Sequence, residues 1–137
     1  MTYLLDTNIL SETRKRNPAP GVVNWIKSTP PDHLHVSVLT LGEIMQGIAR
    51  LRARGDHLQA GILERWLDAI EKGFADRALP VTLRVAADWG RHQPPWPVPV
   101  VDALIAATAR VNGLTIVTRN VKDFELAGVP VINPVTG

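Results

Sequence analysis

The sequence contains no cysteine. Disulfides, thiolate metal sites and cysteine nucleophiles are therefore excluded. It also lacks any apolar run near the ~18 residues that would signal a membrane-spanning helix, so no membrane association is expected. The opening stretch, Met1-Thr2-Tyr3-Leu4-Leu5-Asp6, has neither a basic segment nor a long apolar one, and no secretion signal is read. A reducing cytoplasm is compatible with both features and is the expected location. No internal repeat, low-complexity segment or glycine-rich phosphate loop is present. The four histidines do not make a zinc site: His33 and His35 share one expected strand, and His57 and His92 stand apart. Ser11 and Ser37 lack the histidine and acid companions of a hydrolytic triad.

What is present fits one domain over residues 1–137, with 45% hydrophobic residues to build a core. The only candidate linker, Gln93 to Pro99, is too short and too central to divide the chain. Its four prolines make it a loop, and Trp96 within it reads, like Trp25, Trp66 and Trp89, as a packing residue, an interface being the weaker alternative. Fifteen Lys and Arg against thirteen Asp and Glu give a net charge of only +2, which says little about partners. The distribution says more. Arg14-Lys15-Arg16 is a tight basic run, and Arg50, Arg52 and Arg54 form another. Such runs are either solvated patches or a rim that binds phosphates.

Tyr3-Leu4-Leu5 reads as a buried strand that runs into a turn at Asp6-Thr7-Asn8. A short helix around Val22 to Ile26 ends before Pro30-Pro31, and Leu34 to Val38 forms a second strand. Helical periodicity puts Leu41, Ile44, Met45, Ile48 and Leu51 on one face of a helix over residues 40–51. A second helix spans about Gln59 to Phe74, with Ile62, Leu63, Trp66, Leu67, Ile70 and Phe74 as its stripe. Ala78 to Val81 is a possible edge strand, where proline is tolerated. Helices follow over residues 82–92 and 100–112, the latter closed by Gly113. Strands at Leu114 to Val117 and Val129 to Ile132 flank a short helix near Asp123. Alternating strands and helices predict an α/β fold with a parallel sheet of four to five strands and helices on both faces.

Open parallel sheets bind ligands beyond the carboxyl ends of their strands. Asp6, Glu43, Asp102 and Asp123 all fall at strand-to-helix junctions. Each has a plain structural reading. Asp6 can make an Asx turn, and Thr40-Leu41-Gly42-Glu43 fits a capping box. Asp102 can complement a helix dipole, and Asn120 can pair with Asp123 at a helix start. Together these readings weaken, because half-buried carboxylates crowded into one place repel unless a cation neutralises them. Magnesium takes oxygen ligands and commonly uses one or two carboxylates with water and a substrate phosphate.

Four segments carry a family resemblance. Leu4-Leu5-Asp6-Thr7-Asn8-Ile9-Leu10-Ser11-Glu12 resembles the opening motif of PIN-domain nucleases. Ser37-Val38-Leu39-Thr40-Leu41-Gly42-Glu43-Ile44 resembles their glutamate-bearing second motif. Val101-Asp102-Ala103-Leu104-Ile105-Ala106-Ala107-Thr108-Ala109 resembles the third, and Val117-Thr118-Arg119-Asn120-Val121-Lys122-Asp123-Phe124 the fourth. Their order and spacing resemble the VapC-type toxins of bacterial toxin–antitoxin pairs. The resemblance implies a PIN-like fold, a magnesium- or manganese-dependent endoribonuclease, a homodimer and a VapB-like antitoxin. It places metal-site and catalytic roles on Asp6, Glu43 and Asp102. Because Asn120 is neutral, Asp123 is the better fourth acid, leaving Asn120 to bind water or shape the turn. Thr7, Asn8 and Thr118 are supporting polar groups. Arg14, Lys15, Arg16 and Arg119 are candidate RNA contacts.

Three other readings compete: a phosphotransfer hydrolase using Asp6, a receiver-like signalling module and a catalytically silent binding protein. The first wants an aspartate where Asn8 stands. The second wants adjacent acids after the first strand and a late lysine. The intact acids disfavour the third. An RNA-processing nuclease of the same fold, outside a toxin pair, is the nearest alternative.

Overall fold

Short aliphatic runs form five strands: β1 (Tyr3–Leu5), β2 (Leu34–Ser37), β3 (Ala78–Leu79), β4 (Thr115–Val117) and β5 (Val131–Ile132). The computed structural model describes residues 1–92 and 97–135. The strands pair in the order β3-β2-β1-β4-β5, all parallel, so the first strand in the chain lies at the centre. Seven α-helices accompany them among the described residues: α1 (Thr7–Thr13), α2 (Pro20–Ser28), α3 (Val38–Ala53), α4 (His57–Gly73), α5 (Leu83–Arg91), α6 (Val100–Asn112) and α7 (Val121–Leu126).

Side chains alternate along a strand, so the central strands β1 and β4 each feed two cores. Leu4 and Ile116 pack with Ile105, Ala106 and Ala109 of α6 and with Phe124 of α7. Leu5 and Val117 pack with Ile9 and Leu10 of α1 and Val22 of α2. Both faces are thus covered by helices, as parallel sheets require. The alanines of α6 let the helix approach the sheet closely. A third cluster, Ile44, Ile48, Ala60, Leu63 and Leu67, holds α3 against α4 as a hairpin. Gly113 ends α6 in the left-handed conformation at φ 65°, where a side chain would be strained. Gly21 is required for a different reason: a Cβ there would stand 2.3 Å from the carbonyl oxygen of Pro134.

Several expectations are corrected. The turn expected at Asp6-Thr7-Asn8 is instead the start of α1, whose Ile9 and Leu10 are buried. The helix expected from Thr40 starts at Val38, with Ser37 as its cap and its hydroxyl accepting from the Leu39 N–H at 3.0 Å. Met45 and Ile62, both assigned to apolar stripes, are exposed, because each stripe is narrower than its periodicity implies. His33 lies in a 3-10 turn (Pro31–His33) before β2, so only His35 is on the strand. Of the expected loop over 93–99, residues 97–99 are non-helical, and the remainder, including Trp96, lies outside the described residues. Among the described residues no helix is long and apolar enough to cross a membrane.

Candidate active site

The strand order reverses between β1 and β4, and in an open parallel sheet ligands bind at the carboxyl ends beside such a switch. Asp6 directly follows β1 there and Thr118 directly follows β4. Asp6 is the N-cap of α1, with Oδ1 accepting from the Thr7 N–H at 2.9 Å. Its Oδ2 accepts from the Thr118 hydroxyl at 2.8 Å and from the Asn8 amide at 3.2 Å. The Asn8 amide also donates to Thr118 Oγ1 at 3.2 Å, and Thr118 Oγ1 accepts from the Asn120 N–H at 2.9 Å. Burial raises the Asp6 carboxyl above its ordinary range. The bonds from Thr118 and Thr7 oppose that rise, and the Glu43 charge adds to it.

Glu43 sits in the second turn of α3, too far along to act as the capping partner that its spacing suggests. It accepts instead from the Thr7 hydroxyl at 2.6 Å, which ties α3 to α1. Asp123, in the first turn of α7, accepts from the Asn120 amide at 2.9 Å. Asp102, in the first turn of α6, has no hydrogen-bond donor among the described residues. Partial burial is the largest cause lifting its carboxyl to about 6, followed by the charges of Asp6, Glu43 and Asp123. Asp102 is therefore within electrostatic reach of the three other acids, which come from three other elements at the same end of the sheet. The dipole reading of Asp102 is geometrically satisfied too, but it favours ionisation and is outweighed.

The PIN domain family model matches residues 3–128. The chain belongs to the PIN domain family. Toxin FitB of Neisseria gonorrhoeae is 34% identical over 137 residues, covering 96% of each chain. VapC ribonuclease Y4jK of Sinorhizobium fredii is 31% identical, again over 96% of each. Among solved structures, FitAcB from Neisseria gonorrhoeae superposes with a TM-score of 0.87 at 33% identity, covering 97% of this chain and 98% of that one.

In this PIN domain an all-oxygen donor set faces the sheet tips, which suits a hard divalent cation. Half-buried Asp102, repelled by three acids and without a donor, is the group most relieved by such a charge. Among the described residues no group of three or more Asp, Glu or His is already arranged so that it could hold a metal ion. Thr7 holds Glu43, Asn8 and Thr118 hold Asp6, and Asn120 holds Asp123.

The candidate RNA contacts lie differently from one another. Arg14, Lys15 and Arg16 follow α1, whose last residue lies roughly 10 Å along the helix from Asp6 by its rise per residue. Arg14 stacks over Trp66, with its guanidinium carbon 5.8 Å from the ring centroid. Lys15 and Arg119 both pair with Glu12, a buried acid that sequence reasoning did not single out. Its signal was weak: Glu12 lies on the motif but six positions beyond Asp6, where it reads as an ordinary helix-end charge. The second basic run is partly neutralised and remote. Arg52 pairs with Glu64 at 2.6 Å near the far end of α3.

Proposed function

We propose that this PIN domain is a divalent-cation-dependent endoribonuclease, acting in the cytoplasm as the toxin of a toxin–antitoxin pair. The carrying observation is Asp102, an acid without a hydrogen-bond donor among the described residues that feels three other carboxylates. The names of two full-length relatives, a toxin and a ribonuclease, support the same reading.

Asp6 and Asp102 would hold the cation, magnesium or manganese, and Glu43 and Asp123 would complete the negative pocket. When bound, the cation supplies water activation and offsets negative charge on the phosphate. The chain supplies orientation. Thr118 and Asn8 fix one face of Asp6, Thr7 fixes Glu43, and Asn120 fixes Asp123, so three of the four acids are aimed before substrate arrives. Asp102 is left without such a bond. A basic side chain from an antitoxin can satisfy the same carboxylates, so a VapB-like partner would block the site by presenting an arginine or lysine to it. We expect a homodimer, as the family resemblance implies.

The test is RNA cleavage titrated with magnesium, in wild type and in Asp102→Asn. Cleavage that rises with magnesium and vanishes in the variant supports the reading. Full cleavage by Asp102→Asn at saturating magnesium, or no cleavage by wild type at any concentration, refutes it.

A further inference from the structure

Glu12 is 3% exposed and has no part in the cation pocket. It lies on α1 six residues past Asp6, about 9 Å along the helix axis. Its Oε1 accepts from Arg119 Nη1 at 2.5 Å and from Lys15 Nζ at 3.3 Å, and its Oε2 from the Ala19 N–H at 3.4 Å. Burial would raise this carboxyl, but the Lys15 and Ala19 bonds and the charges of Lys15 and Arg119 together hold it below its ordinary range. The group is thus a retained buried anion. As a mere tie between α1 and the turn after β4 it would be a poor device, since buried ion pairs are often no better than apolar contacts.

Arg119 differs from a structural arginine in what it leaves free. Its side chain is 43% exposed, and among the described residues only Nη1 of its guanidinium is engaged, by Glu12. Its main-chain N–H donates at 3.2 Å to Asn8, the residue whose amide also holds Asp6. Arg119 is therefore registered to the acid pocket at both its backbone and its side chain. By contrast, Arg110 is fastened to Asp88 and to the Ala127 carbonyl, away from this network. A pocket of four carboxylates repels a phosphodiester, so a cation fixed at its rim has a clear use.

We propose that Glu12 is a positioning residue, holding Arg119 so that the free edge of its guanidinium grips an RNA phosphate next to the one at the acids. This rests on the ribonuclease reading. The planar fork of arginine can be gripped on one edge while presenting another, which the point charge of lysine cannot do. Lys15, on the same carboxylate, adds positive charge beside it.

The test is equilibrium binding of a fluorescein-labelled ten-nucleotide oligouridylate, read by anisotropy across a salt series. Asp102→Asn is used as the background throughout, so that the probe survives. Adding Arg119→Ala is expected to weaken binding roughly tenfold and to flatten the log–log salt slope by about 0.7, the value of one single-strand phosphate contact. Adding Glu12→Gln is expected to weaken binding about threefold or more, although the protein becomes one charge more positive. A role limited to charge or to folding predicts equal or tighter binding from that change. The Glu12→Gln, Arg119→Ala pair together should bind as Arg119→Ala does, because both act through one contact. Arg119→Lys, at an exposed position, keeps the fold and the charge and should still lose most of the affinity. It decides the matter if Glu12→Gln fails to fold. Equal or tighter binding by folded Glu12→Gln, or background-level binding by Arg119→Lys, overturns the proposal. Cleavage of the same RNA by wild type with magnesium separates the two claims. Cleavage with binding indifferent to Arg119 sinks only this one, whereas the binding pattern without cleavage sinks only the nuclease reading.

Discussion

The two sides of the acid pocket are built on opposite plans. On the α1 and β4 side, Asp6 accepts three hydrogen bonds and Glu43 accepts one from the neighbouring Thr7. On the α6 side, Asp102 accepts none among the described residues, and its carboxyl is lifted to about 6. One side is preorganised by the protein at the expense of burying charge. The other is left electrostatically unrelieved. A folded protein tolerates such a group where a ligand supplies what is missing.

Removing the unrelieved charge is the strongest way to break this contrast. Asp102→Asn should lower RNA cleavage by at least ~100-fold, since even outer-shell partners of a metal ligand are worth about 10–100-fold. Its cation-free form should nevertheless melt higher than wild type, because repulsion falls. Cleavage rates and melting curves on the same preparations check both signs. A lower melting temperature without metal would restore the plain helix-dipole reading.

Thr118→Val attacks the preorganised side instead. It removes a donor to Asp6 and an acceptor for the Asn120 N–H in a fully buried place. The expected loss is about 1–3 kcal/mol of stability, with cleavage down about 10–100-fold. Urea denaturation and initial rates measure the two. The sides thus differ in the sign of the stability change while agreeing on activity.

The pH dependence sharpens the comparison. A carboxyl raised from 3.8 to about 6 binds its proton more tightly folded than unfolded. Stability from this group is therefore greatest below about pH 4 and is lost as pH rises to about 6. Allowing for solvent screening of a half-buried group, the loss is about 1–2 kcal/mol. Urea midpoints from pH 4 to 7 without divalent ions should show it as a wild-type slope, relative to Asp102→Asn, that is absent above pH 7. The smallest effect should come from Arg52→Ala on the α3–α4 hairpin, which breaks an exposed ion pair with Glu64. It should cost under ~0.5 kcal/mol by thermal melting and leave cleavage unchanged. A loss of cleavage there would mean that the hairpin communicates with the pocket.

The parallel sheet was legible because its strands are short aliphatic runs punctuated by Gly, Pro and Asn. α6 was legible because its alanine-rich period ends in Gly113. α1 was not, because seven residues capped by Asp6 and beginning Thr-Asn look like turn chemistry until Ile9 and Leu10 find a core on the sheet. The start of α3 was obscured for a related reason. Val38 and Leu39 prolong the apolar run of β2, and the true cap, Ser37, lies inside it. The acids were singled out by their junctions, but what surrounds them required tertiary contacts. Nothing local links Thr7 to Glu43, or Thr118 to Asp6, across 36 and 112 residues. Thr40 shows the same limit: it was read as a cap, yet its hydroxyl is buried and has no partner among the described residues.

The outermost strands carry a further consequence. β3 and β5 are two residues long each, with Pro80 directly after the first, and Pro130 before and Pro134 shortly after the second. Proline offers no N–H, and so short a rim exposes few backbone groups to recruit another chain. The sheet is thus a poor template for polymerisation. Copies of this protein crowded together are therefore poorly suited to adding strand to strand.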